Sequence, residues 1–151
     1  MAVSLGCGWR AWRAWHDVVV CEQLFLEADA QMNRSQWDQA LNTLDACLVK
    51  NPLYFPAYEA KAYVLLEARG DRQGALAALQ SAMPALADDA RLQRAIGELY
   101  LRDLKQPALA LPYLRRACEL DSTDYTARAL EKKAQTALEQ QVRNPAAHRV
   151  P

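Results

Sequence analysis

QWDQALNTLDACL, residues 36–48, decides the fold of this chain. Counted from Ala40, Leu44 and Cys47 stand four and seven residues along, on one face of a helix. Two of the three are small, so another helix backbone can approach closely there, and the leucine between them fills the groove between helices. The same face is written twice more. DRQGALAALQSAM (71–83) supplies Ala75, Leu79 and Ala82, and QPALALPYLRRAC (106–118) supplies Ala110, Leu114 and Ala117. Each leading alanine is followed by a leucine (Leu41, Leu76 and Leu111), and every position recurs at a constant step of 35 residues. Four in-phase positions over three copies predict a stack of antiparallel helices.

Upstream of each copy lies a second helical run: LFLEADAQMNR (24–34), AYEAKAYVLLEAR (57–69) and RLQRAIGELYLRD (91–103). Each carries a small residue where the paired helices must touch, Ala28, Ala62 and Gly97. Turns are predicted at Ser35-Gln36, Gly70-Asp71 and Leu104 to Pro107. Gly70 suits a helix C-terminus, and Pro107 suits the first position of a new helix. Asn51-Pro52 stops the first hairpin.

With these pieces in place, residues 21 to 122 resemble the tetratricopeptide repeat family. The local matches are Gln36 to Leu41, Gly70-Asp71 through Ala75-Leu76, and Ala95-Ile96-Gly97 with Tyr100. The resemblance implies an all-α, right-handed solenoid of three antiparallel helix-turn-helix repeats, at about 21–54, 55–88 and 89–122, with capping helices. The departures are a step of 35, Gln31 and Leu65 where an aromatic is common, and a terminal proline kept only at Pro52. Pro112 falls inside a helix, where it removes a backbone hydrogen bond and predicts a bend.

Either end adds a cap. Residues 123–143 read as a closing helix with Leu130, Ala134, Ala137 and Leu138 on one face, which covers the end of a stack. The tail 144–151 has little to bury and is expected to fray. At the other end, residues 1–20 place Trp9, Trp12 and Trp15 every third position, with Val19 continuing the same side of a helix. The expectation is that residues 9–19 pack on the bare outer face of the first hairpin. Docking to a partner and resting at a membrane interface are the two other readings of that stripe.

The chemistry of enzymes is absent from the motifs. There is no phosphate-cradling glycine loop and no GxSxG elbow. The two histidines, His16 and His148, lie near the termini, away from the repeats. Cys7, Cys21, Cys47 and Cys118 are scattered with no CxxC pair, so no metal and no cofactor is expected. Cys47 and Cys118 read as small apolar residues of free thiols in a reducing compartment. Lysine plus arginine equal aspartate plus glutamate at 18 each, which removes the field that would draw the chain to nucleic acid. No run of 18 apolar residues spans a bilayer. A cytoplasmic location is expected; the alternative, if the N-terminus is incomplete, is a periplasmic or membrane-anchored lipoprotein.

The resemblance also implies where a partner sits, since in this family the first helices of the repeats line a concave groove. Matching by motif gives Phe25, Asp29, Met32 and Asn33 from repeat one, and Glu59, Tyr63, Leu66 and Glu67 from repeat two. Repeat three adds Arg91, Arg94, Glu98, Leu101 and Arg102. That groove is acidic toward the first two repeats and basic toward the third, and it suits an extended or helical peptide. Phe25 and Asp29 occupy two places that some family members use to clamp a chaperone's C-terminal carboxylate, and an aspartate there repels it. The implied function is a protein-binding adaptor, chaperone or assembly factor. The layout of leading helix, three repeats and closing helix is similar to the small chaperones of bacterial secretion translocators. A permanent structural subunit of a secretion or pilus assembly machine is the rival reading, and self-association stays open beside it.

Overall fold

The small-residue face packs as its spacing requires. Ala40, Leu44 and Cys47, Ala75, Leu79 and Ala82, and Ala110, Leu114 and Ala117 are all buried, as are their counterparts Ala28, Ala62 and Gly97. The helices that carry them are α1 (Gly6–Asn33), α2 (Trp37–Lys50), α3 (Phe55–Arg69), α4 (Arg72–Gln80), α5 (Met83–Leu86), α6 (Ala90–Arg102), α7 (Pro107–Leu120) and α8 (Tyr125–Arg143). This computed structural model describes residues 6–143, with side chains from Trp12 onward, and contains no strand among them. The tail 144–151, the side chain of Trp9 and that of Cys7 lie outside the described residues.

Two compact units divide between Gly70 and Asp71. In the first, α1 packs on α2 and α2 on α3. Its core is Cys21, Ala28, Leu44, Cys47 and Ala57, flanked by Leu24, Phe25 and Tyr54. In the second, α6 packs on α7, α7 on α8 and α4 on α6, and the core is Leu101, Ala110, Leu114, Leu130 and Ala134. Gly97 sets the closest approach. A Cβ there would lie 2.6 Å from Leu114 Cγ, so only glycine lets α6 come this near to α7.

The period of 35 is also written in the backbone. Ser35, Gly70 and Lys105 have φ of 58°, 60° and 55°, the left-handed conformation that ends a helix. At Ser35 the bonds are those of a Schellman turn, with Ser35 N donating to Met32 O and Gln36 N to Gln31 O, 2.9 Å each. Only one of the three is glycine, which is why the turns at 35 and 105 are weaker in sequence than in structure.

Several expectations need correction. Cys47 is not a free thiol: it forms a disulfide with Cys21, 26 residues away, and both are fully buried between α1 and α2. Cys118 is free and half-buried; burial, followed by the charge of Glu131, pushes its thiol above the usual range. The Trp-rich segment is helical, but it is the leading part of α1, which passes residues 20 and 21 without a break. Trp12 and Trp15 are 57% and 64% exposed, so these two do not pack on the first hairpin, while Val19 is half-buried. In the middle repeat, α4 stops at Gln80 because Pro84 lacks an N–H and its ring clashes with the carbonyl four residues back. Pro112, by contrast, leaves α7 a single helix from 107 to 120. Ala108, whose carbonyl loses its donor, is exposed to solvent, so the group is not left buried without a partner.

Candidate functional site

The sequence-predicted contact residues fall into two sets, one per unit. In the first unit, Phe25 is half-buried and meets Tyr54 edge to face with ring centroids 5.3 Å apart, which makes it a core residue with one open edge. Burial, and then the charge of Glu22, raises the pKa of Tyr54. One turn along α1, Asn33 Nδ2 donates to Asp29 Oδ2 at 3.3 Å, so these two exposed residues are tied together. Met32 is half-buried.

On α3, Glu59, Tyr63 and Glu67 succeed one another at every fourth residue and are all exposed, Tyr63 at 52%. The helix presents this face because Ala57, Ala62, Val64 and Leu65 take the core positions. Leu66 is half-buried beside it. Among the described residues no cation pairs with Glu59 or Glu67, whereas Lys61, on a neighbouring position, is drawn to Asp45 of α2 at 2.5 Å. The result is a tyrosine flanked by two carboxylates on one helix, with Asp29 on α1 in the same unit.

The second unit is arranged differently. Arg91 is bound by Asp89 in a two-point contact, Nε to Oδ1 at 3.1 Å and Nη2 to Oδ2 at 2.7 Å. That guanidinium, helped by the Arg91 backbone N–H, lowers the pKa of Asp89, which is also the N-cap of α6. Arg94 is half-buried, with Nε 3.1 Å from Asp124 Oδ2, and Asp124 Oδ1 accepts from Ala127 N at the start of α8. Arg102 is paired with Glu98 on its own helix. Leu101 is 7% exposed and belongs to the core. The expectation of a basic end to the groove therefore changes, since each of its three arginines already holds an acid. Leu101 leaves the contact set altogether, because its position turns toward α7 and α8.

No protein-family model and no curated protein matches the chain. Solved structures do. The first such domain of Spaghetti (RPAP3), solved with the HSP90 peptide SRMEEVD, is 14% identical, with 81% of this chain and 98% of that one covered at a TM-score of 0.69. The Sgt2 domain from Aspergillus fumigatus is 15% identical, covering 87% and 85% at 0.67. The Yersinia enterocolitica secretion chaperone SycD, solved with a peptide of the translocator YopD, is 19% identical, covering 79% and 89% at 0.59. This chain has the tetratricopeptide-repeat fold.

The position where an aromatic is common in a tetratricopeptide-repeat hairpin is Gln31, Leu65 and Tyr100 in the three copies, and two of them are tied by specific contacts. Tyr100 stacks on Tyr113 with centroids 5.7 Å apart, whereas Gln31 accepts a hydrogen bond from the Thr43 hydroxyl at 2.9 Å. Both link the first helix of a hairpin to the second. Sequence reasoning missed two features. Cys21 gave no signal as a bridge partner, since it lies outside any cysteine motif. Asp124 gave one that went unread: an aspartate just before a helical run is the usual N-cap.

Proposed function

We propose that this chain is a non-catalytic protein-binding module, and that it holds a segment of another protein on the face of α3 and α1 formed by Glu59, Tyr63, Glu67 and Asp29. The observation that carries this reading is the exposed Tyr63 between two exposed carboxylates that pair with no cation among the described residues. An exposed aromatic ring costs little conformational entropy to immobilise, and tyrosine is enriched in energetically dominant contacts. Flanking carboxylates select a segment bearing lysine or arginine and reject an acidic tail such as SRMEEVD. The peptides held by RPAP3 and SycD support a peptide ligand for this fold. The test is quantitative affinity capture by the wild type and by a Glu59→Lys, Tyr63→Ala, Glu67→Lys triple variant. The expected result is one protein captured in stoichiometric amount and lost from the variant. Equal capture by both, with the variant folded, removes the site from this face.

The Cys21–Cys47 bridge supports a working place in an oxidising compartment over the cytoplasm, because reducing compartments keep such thiols apart. Thiol alkylation of the protein taken directly from its cells reads this out: two protected cysteines are expected, and full labelling without a reductant assigns the chain to a reducing compartment.

A further inference from the structure

Turned outward on α1 is an apolar row that the protein-binding reading leaves unused. Trp12, Val19 and Leu26 recur at a step of seven, and Trp15 stands three after the first of them. Seven residues fall about 20° short of two helical turns, so the four stay within an arc of about 60°. The core side of the helix lies elsewhere. Cys21 and Ala28 follow Val19 and Leu26 by two residues, about 160° round the helix, and both are fully buried. Trp12, Trp15 and Leu26 are 57%, 64% and 68% exposed, and Val19 is half-buried. An apolar row with this period is the seam along which one helix pairs with another.

The row is symmetric about its centre. Val19 stands seven residues after Trp12 and seven before Leu26. A second α1 laid end for end across it therefore sets Trp12 against the partner's Leu26, and Val19 against the partner's Val19. The same turn brings Glu22 opposite the partner's His16, where an imidazole N–H can donate to the carboxylate, and Gln23 opposite the partner's Trp15. Glu22 and His16 are both exposed, and His16 lies in ring contact with Trp12 at 5.4 Å. Pairing in the same direction would instead set Glu22 against the partner's Glu22 and align the two helix dipoles.

We infer that α1 pairs antiparallel with α1 of a second copy, about a two-fold axis beside Val19, with Trp12 and Leu26 as the anchoring contacts. The overlap, residues 12–26, is about 21 Å of helix. Its two tryptophans supply about 300–500 Å² per copy, and with Val19, Leu26 and the polar residues between them the strip reaches the lower end of specific interfaces, near 800 Å² per partner for a standard one. The seam is presented ready-made. On its far side α1 is fixed to α2 by the Cys21–Cys47 bridge and by Asp17, whose Oδ1 lies 3.7 Å from Lys50 Nζ, so little ordering is needed on association.

The test is sedimentation equilibrium of the full chain from about 1 to 100 µM, where a reversible dimer with a Kd of about micromolar order is expected. A Trp12→Ala, Leu26→Ala variant should keep its helical circular dichroism, since both side chains are exposed. It should weaken the dimer at least about a hundredfold, because in a two-fold contact each lost pair is lost twice. Direction is read by cross-linking in a Cys7→Ser, Cys118→Ser background. Mixing His16→Cys chains with Glu22→Cys chains should give the mixed disulfide dimer in preference to either homodimer. A chain that stays monomeric throughout, or a dimer that the folded variant keeps, overturns the inference. Preferred links between two His16→Cys chains and between two Glu22→Cys chains overturn it as well. So does a monomeric chain that holds lipid vesicles or a different protein through Trp12 and Leu26, which assigns the row to that occupant.

Discussion

The two units build the same hairpin on the same small-residue face and secure it by different means. In the first, neither α2 nor α3 has a side-chain N-cap, and a disulfide joins the first helix to the second. In the second, aspartates cap three helices: Asp71 at α4, Asp89 at α6 and Asp124 at α8. Asp89 and Asp124 also hold Arg91 and Arg94. The predicted groove arginines Arg91 and Arg94 of the second unit are thus spent on internal bonds, while Glu59 and Glu67 of the first stand exposed on α3. Residues at equivalent repeat positions do not inherit equivalent roles. What a charged residue is free to do depends on whether a neighbouring helix start has already engaged it.

The sharpest way to break this comparison is to remove the bridge. Cys47→Ala restores the residue type found at Ala82 and Ala117, so packing is preserved and only the cross-link is lost. A closed loop of this size is worth about 2–4 kcal/mol, and denaturant titration should show that loss, with hydrogen exchange accelerating in residues 12–70 before 71–143. No change in stability would mean that helix packing alone holds the first unit.

A smaller effect separates the arginines. Arg94→Ala leaves a half-buried Asp124 without its partner and should cost about 1–2 kcal/mol, between the values for exposed and fully buried pairs. Arg102→Ala, which loses only an exposed contact to Glu98 four residues away, should cost less than about 0.5 kcal/mol. Equal thermal melting of the two variants would show that the Arg94–Asp124 contact contributes no more than an exposed pair.

A further small effect has the opposite sign. Ser35→Gly and Lys105→Gly relieve a left-handed backbone that costs a residue with a Cβ about 1 kcal/mol. Each should stabilise by about 0.5–1 kcal/mol. Loss of stability at either position would show that the side chain does more there than the backbone strain costs.

The hairpins, their step of 35 and their buried small residues were legible because packing writes itself into local spacing. Ala40, Ala75 and Ala110 must be small whatever surrounds them. The contact face was only partly legible, because exposure depends on a helix that is distant in sequence. Nothing near Leu101 says that α8 returns over it, and nothing near Arg94 says that Asp124 will arrive beside it. The disulfide failed for the same reason: Cys21 and Cys47 belong to different helices, and only their pairing brings the sulfurs together. The tryptophan segment is helical as expected, but Trp12 and Trp15 are exposed rather than covered, since amphipathicity gives a face but not what lies against it.

The three left-handed residues at 35, 70 and 105 divide the chain at the ends of α1, α3 and α6, in backbone that carries no core side chain. They are natural splice points. Exchange of segments between them moves whole helices with their small-residue face in register, so replacing residues 1–35 removes Cys21 and its bridge while the acidic face of α3 is kept, whereas Cys47 and that face travel together in residues 36–70.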